Sequence, residues 1–266
     1  MARILSAVVL IAFNVGVLLF APWWATVLVT MVIAALCAHE MAGLSAAVGA
    51  PLSRPVVMTA AAVVCAATAF TADLIAGGPL TPVLLTLVVG AGLVTLGTAA
   101  PSPAVITRAA MLVMAPIYVG VPMGALAWVY ITSGPWTLLF LITVIALSDS
   151  AQYFCGRAFG RRKLAPAISP AKTIEGAVGG AVVAAIAGVT LAPMWVTGVT
   201  WHEGLLLGMV LCGAGIAGDL FESMLKRSAG VKDSSQLIPG HGGVLDRVDA
   251  HLFAGPVFVL FLRYVA

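Results

Sequence analysis

Between Asp219 and Asp249 the chain reads DLFESMLKRSAGVKDSSQLIPGHGGVLDRVD, placing Asp219, Glu222, Lys226, Arg227, Lys232, Asp233, Asp246, Arg247 and Asp249 in one window. Only 9% of the whole sequence is charged, so acids, bases and the Gly-rich turn PGHGG are concentrated here. On a helix, Asp219, Glu222, Ser223 and Lys226 stand at i, i+3, i+4 and i+7 and share one face. Asp246 and Asp249, three apart, share the face of a second short helix that begins just past the glycines. Acids on two elements joined by a flexible turn can converge on one divalent cation. A hard cation such as Mg²⁺ takes a few carboxylates and leaves its other positions to water and phosphate oxygens. The flanking Lys and Arg side chains then meet the phosphates themselves. A basic connection that merely obeyed membrane topology would account for the cations. It would not account for the acids among them, or for Asp219 inside the apolar run LLLGMVLCGAGIAGDLF, where an ionisable group is costly.

Two further constellations lie upstream. Asp149, Tyr153 and Arg157 follow one another at i, i+4 and i+8 and form a stripe along a helix; a structural Asp–Arg pair and a substrate-binding role fit them equally. The stretch ISPAKTIEGAVGG, residues 168–180, reads as the start of a helix, with Ser169 as its cap and Pro170 in its first turn. Lys172 and Thr173 would then meet phosphate where backbone N–H groups favour anions, and Glu175 suits the helix dipole. This is not a Walker A loop, which needs G-x-x-x-x-G-K-[ST]. His241 in PGHGG reads as a ligand, a phosphate donor or a loop residue. His39 and Glu40 read as an interfacial pair at the end of a span, and His202 and His251 as interface residues. Cys37, Cys65, Cys155 and Cys212 stand singly in apolar segments, which suits small buried residues rather than a metal site or disulfides.

The elements that must position these residues are membrane spans. The 266 residues are 62% hydrophobic with a mean hydropathy of +1.12, and a soluble domain of this size could not cover its surface with so few charges. The expected fold class is all-α, a polytopic integral membrane protein. About nine apolar runs, over 4–20, 23–38, 56–73, 81–98, 109–131, 136–158, 174–197, 203–225 and 250–266, approach the ~20 residues a crossing takes. The first two are short and also suit a re-entrant pair; Arg3 ahead of the first also suits a signal peptide, but its length favours a retained span. Pro116 and Pro122 are expected to kink the fifth. With nine spans, Arg3, Arg54, Arg108, Arg157, Arg161, Arg162, Lys163, Lys172, Lys226, Arg227, Lys232 and Arg247 all fall on one side, and Arg263 alone on the other. The positive-inside rule puts that side, with the N-terminus, in the cytoplasm. Residues 1–148 carry five charges, Arg3, Glu40, Arg54, Asp73 and Arg108. They read as a transmembrane scaffold, and 149–266 as the catalytic region of one continuous membrane domain.

The run Ser223-x-x-Lys226-Arg227-x-x-x-x-Lys232-Asp233, followed by Pro239-x-His241-Gly242-Gly243-x-x-Asp246-Arg247-x-Asp249, closely resembles the signature of the phosphatidate cytidylyltransferases, also called CDP-diacylglycerol synthases. Asp149, Tyr153, Gly156-Arg157, Phe159-Gly160, Ile168-Ser169-Pro170, Lys172-Thr173 and Glu175-Gly176 resemble a second block of that family. Ala171, Ser150 and Gln152 depart from its usual residues. The resemblance implies Mg²⁺-dependent transfer of CMP from CTP to phosphatidate, releasing pyrophosphate, by a homodimer of membrane-embedded chains with its site facing the cytoplasm; the lack of a targeting peptide or long soluble tail suits a bacterial inner membrane. Mg²⁺ acts there alone or together with a monovalent cation, and nucleic acid has no part. Carried onto this sequence, it assigns catalysis to Asp219, Asp246, Lys226 and Arg227. Substrate binding falls to Ser169, Lys172, Thr173, Glu175, Ser223, Lys232, Asp233, His241, Gly242, Gly243, Arg247, Asp149 and Tyr153, and the metal to Asp219, Asp246 and Asp249. Two other readings stand beside it: a CTP-dependent kinase of polyprenols or similar lipid alcohols, which would release CDP, and a secondary transporter using Asp149 and Asp219 as ion sites.

Overall fold

The computed structural model describes residues 15–71, 78–238 and 242–265. Its helices are α1 (Trp23–Ala47), α2 (Arg54–Ala69), α3 (Leu80–Thr98), α4 (Ala104–Ser133), α5 (Pro135–Phe159), α6 (Ile174–Trp195), α7 (Trp201–Ser228) and α8 (Leu245–Tyr264), with two short strands, β1 (Lys163–Ala165) and β2 (Ser169–Thr173), between α5 and α6. Six of them, α1 and α3 to α7, are long and apolar enough to cross a membrane, and α2 is a shorter apolar helix. The chain is an all-α, polytopic membrane protein. Of the expected spans, the one over 4–20 lies largely outside the described residues. The second is longer than its apolar run suggested: α1 extends for 25 residues to Ala47.

Two compact units share the chain: residues up to Ile131 with Ser228–Arg247, and Thr132–Arg227 with Val248–Ala266. The first holds α1 to nearly all of α4, together with the connection that leads to α8. Within it α1 packs along α2. Gly120 and Gly124 let α4 approach α2 closely, since a Cβ at either would strike the Ala61 or Cys65 carbonyl and the Val64 or Thr68 side chain. Small residues at such crossings are how helices gain contact in lipid, where the hydrophobic effect between them is lost. Helix α4 continues through both Pro116 and Pro122 for 30 residues. On α3 only Ala91 and Thr95 are buried, which leaves its leucines and valines to face lipid.

The second unit is built on α5 and α6, with α7 and most of α8. Gly188 of α6 and Gly204 of α7 meet backbone to backbone, as do Ala184 and Gly208. Gly218 of α7 is pressed on the start of α8, where an added Cβ would lie 2.5 Å from the Asp249 carbonyl oxygen. Aromatic pairs tie the same helices together: Phe140 with Phe258 and Phe221 with Phe253.

The ISPAKT stretch corrects the sequence expectation. Ser169–Thr173 is a strand paired antiparallel with Lys163–Ala165, Lys163 opposite Thr173 and Ala165 opposite Ser169. The helix cap is Thr173, whose Oγ1 accepts the Gly176 N–H at 3.1 Å, rather than Ser169. Pro170 has the fixed φ that suits a first helical turn, but the edge of a two-stranded hairpin, where no donor is demanded of it, accepts it equally well.

Candidate active site

Helix α7 brings together the residues expected on one face. Ser223 Oγ donates to Asp219 Oδ1 at 3.3 Å, and Lys226 Nζ pairs with Glu222 Oε2 at 2.5 Å. These are two i, i+4 contacts along the helix. The second is buried, with Glu222 wholly inaccessible and Lys226 nearly so. Asp219 is half-buried and forms an ion pair with Lys172 of β2, Nζ to Oδ2 2.6 Å. The hairpin thus delivers its one inward-reaching cation to the acid on the apolar helix. Nearby, Arg227 Nε donates to the Ile168 carbonyl at 3.4 Å, a second tie between the end of α7 and the hairpin turn.

Asp149 and Asp249 complete the electrostatics of this unit. The Asp219 charge acts on both, and the Lys172 ammonium acts on Asp149. Asp149 Oδ1 accepts from Gln152 Nε2 at 3.0 Å, so the Asp–Arg pair that the spacing allowed does not form. Arg157 instead donates to the Tyr153 hydroxyl at 3.1 Å. Asp249 Oδ1 accepts the Ala250 N–H at 2.8 Å. The hairpin's basic run is shaped by Glu175, whose carboxylate accepts the backbone N–H of Arg161 at 2.9 Å and of Arg162 at 3.2 Å. Glu175 therefore caps the turn between α5 and β1 and leaves the Arg161, Arg162 and Lys163 side chains exposed. Thr173 is buried as a helix cap and Ser169 is half-buried.

The remaining motif residues lie in the first unit. Lys232, Asp233 and Arg247 are exposed; Pro239, Gly240 and His241 lie outside the described residues. Gly242 has φ +80°, a conformation only glycine adopts freely, and its carbonyl accepts the Ile238 N–H at 2.9 Å. Asp246, in the first turn of α8, reaches back: its Oδ2 accepts from Gly243 N at 2.7 Å, Ser234 N at 3.1 Å and Ser234 Oγ at 2.9 Å. This is half of a capping box, an acid satisfying the N–H ahead of its own helix.

A residue of α1 holds this loop's flanks. Glu40, expected at the end of a span, is buried, 2% exposed, and the helix α1 that carries it runs on to Ala47. It accepts four hydrogen bonds, from Ser234 Oγ (2.9 Å), Ser235 Oγ (2.6 Å), Val244 N (2.9 Å) and Leu245 N (2.8 Å). The available signal was a lone acid inside a long apolar segment, the same signal that singled out Asp219.

The second unit thus sets an acid–lysine pair beside an exposed basic hairpin. Comparison with known proteins narrows the class: the model of the cytidylyltransferase family matches residues 1–265, and the chain belongs to that family. Over 136 residues it is 46% identical to a phosphatidate cytidylyltransferase of Haemophilus influenzae, covering 50% of this chain and 47% of the relative. Over 125 residues it is 43% identical to the phosphatidate cytidylyltransferase of Bacillus subtilis, covering 47% and 46%. It is also 43% identical over 134 residues to YnbB of Escherichia coli, described as uncharacterized, covering 50% and 45%. The matched stretch spans about half the length of these curated relatives.

Proposed function

We propose that the protein transfers CMP from CTP to phosphatidate, forming CDP-diacylglycerol and pyrophosphate. The observation that carries this reading is the Lys172–Asp219 pair, set where a basic hairpin meets the ends of membrane helices, in a chain of the cytidylyltransferase family. One substrate is a lipid whose phosphate lies at the membrane boundary and the other a soluble polyanion. Both need cations at that boundary, and the hairpin offers Arg161, Arg162, Lys163 and Lys172 within a dozen residues of sequence.

The donor set suits Mg²⁺. Asp219 and Asp249 would supply hard carboxylate oxygens, and the Asp219 charge acts on Asp249. Mg²⁺ needs few protein carboxylates, since it keeps waters and takes phosphate oxygens from its substrate. When bound, Mg²⁺ would neutralise charge on the phosphates. The chain's own part is orientation and charge. A phosphatidate phosphate oxygen attacks the α-phosphorus of CTP; the new O–P bond forms as the bond from that phosphorus to the pyrophosphate oxygen breaks, and pyrophosphate departs with the electron pair. Lys172, paired with Asp219 on the same side of the hairpin, would meet a phosphate oxygen. The attacking phosphate is ionised near neutral pH, so no side chain has to take a proton. This suits a site richer in cations than in histidine. The excess of Lys and Arg on one set of connections supports a cytoplasmic site in a bacterial inner membrane, and the family resemblance supports a homodimer.

The test is incubation of the purified protein with CTP labelled in the α-phosphate and with phosphatidate, with and without Mg²⁺, followed by lipid extraction. The expected outcome is Mg²⁺-dependent label in the lipid phase and release of pyrophosphate. Release of CDP with label left in the aqueous phase would point instead to phosphoryl transfer and overturn the reading.

A further inference from the structure

We propose that Glu40 is a positioning residue for Asp246: its carboxylate holds Ser234, Ser235 and the start of α8 and, through the Ser234 hydroxyl, the carboxylate of Asp246. The inference rests on the reaction proposed above and on the part in it that the family resemblance gives Asp246. Four donors converge on Glu40, two per oxygen: Ser235 Oγ and Val244 N on Oε1, Ser234 Oγ and Leu245 N on Oε2. Val244 N and Leu245 N are amides at the start of α8, groups with no partner inside the helix. Such amides are usually capped by a neighbouring residue in sequence. Here the cap comes from α1, some two hundred residues earlier, and it carries a full negative charge, which the helix N-terminus favours.

The link to Asp246 is a single hydroxyl. Ser234 Oγ lies 2.9 Å from both Glu40 Oε2 and Asp246 Oδ2. A hydroxyl has one proton, so the two carboxylates share it and cannot be placed independently. Gly243 closes the arrangement. A Cβ there would overlap Ser234 Oγ and come within 2.5 and 2.7 Å of the two Glu40 oxygens, so the glycine is required for the carboxylate to lie against the loop. Stabilising α8 alone would need only a cap; two serines, two amides and a glycine fitted to one buried acid, with Asp246 on the shared hydroxyl, specify where Ser234, Ser235 and the first turn of α8 stand.

The experiment uses the full-length protein in detergent, as wild type and as Glu40→Gln, Glu40→Ala, Gly243→Ala, Asp246→Asn and the Glu40→Gln/Asp246→Asn double variant. Glu40→Gln keeps the shape of the side chain but turns one acceptor into a donor facing N–H and O–H groups. We expect faster backbone hydrogen exchange confined to the segment from Ser234 to Arg247. CMP transfer should fall roughly a hundredfold in kcat, as small misplacements in a site do, with KM for CTP changed far less. Asp246→Asn should add little to that loss in the double variant, because the two residues act as one unit. Gly243→Ala, which leaves Glu40 intact, should reproduce both effects, and carries the test if the Glu40 variants fail to fold. Turnover near wild type in Glu40→Gln, unchanged exchange in the loop, or multiplicative losses in the double variant would each overturn the proposal. A wild-type protein without CMP transfer would instead sink the reaction reading; the exchange comparison would then decide by itself whether Glu40 holds the loop.

Discussion

At the scale of single residues, the charges of this chain divide into pairs that are reachable and pairs that are not. Lys172 and Asp219 keep side-chain exposures of 19% and 34%, so water and phosphate can reach them and exchange partners with them. Asp219→Asn preserves shape and removes the charge. We expect it to lower CMP transfer by about a hundredfold to a thousandfold, the scale of losing one preorganised electrostatic group, while the protein elutes and melts as wild type does. A turnover within a few-fold of wild type would take Asp219 out of the site. Glu222 and Lys226 are the opposite case, paired and buried on the same helix. Glu222→Gln breaks a buried ion pair, which costs about 3–5 kcal/mol in comparable pairs. The expected result is a markedly lower melting temperature in detergent, far beyond the effect of Asp219→Asn; an unshifted melt would show that Lys226 does not depend on Glu222.

At the scale of elements, glycine decides how near the helices stand. On α7 two glycines offer a matched comparison: a Cβ at Gly208 would strike the Ala184 carbonyl, whereas Gly213 has nothing within 4 Å. Gly208→Leu should therefore push α6 and α7 apart and lower the melting temperature, overpacking of this kind costing about 1–3 kcal/mol or more. Gly213→Leu should not. Equal melts would refute the close crossing. The sequence made some of these elements legible and hid others for physical reasons. Long apolar runs reveal spans directly, and the i, i+4 spacing of Asp219 with Ser223 and of Glu222 with Lys226 survives in the structure as contacts. The hairpin was hidden because Pro170 fits both a helix start and an edge strand, and strands of three and five residues are too short to show a period. Glu40 was hidden because its role depends on Ser234, Ser235, Val244 and Leu245, partners that no local pattern connects with it.

At the scale of the whole molecule, the direction of the chain across the membrane follows from contacts within one unit. After the hairpin, α6 and α7 are both long enough to cross, so the chain leaves one side at Thr173 and returns to it by Ser228. Lys172 on Asp219 and Arg227 on the Ile168 carbonyl show the return directly. Trp195 and Trp201, at the far ends of α6 and α7, mark the other side with the aromatic residues that favour an interface. The hairpin side collects Arg157, Arg161, Arg162, Lys163, Lys172, Lys226 and Arg227, whereas the connection from Val196 to Thr200 has no charge at all. That asymmetry predicts which side faces the cytoplasm, and it is testable without any assay of activity. In a background with Cys37, Cys65, Cys155 and Cys212 replaced by alanine, Thr197→Cys should react with a membrane-impermeant maleimide added to spheroplasts. Lys163→Cys should react only after the membrane is permeabilised. The reverse pattern would put the Lys172–Asp219 pair on the outer face, where cytosolic CTP does not reach, and the proposed reaction would lose its nucleotide.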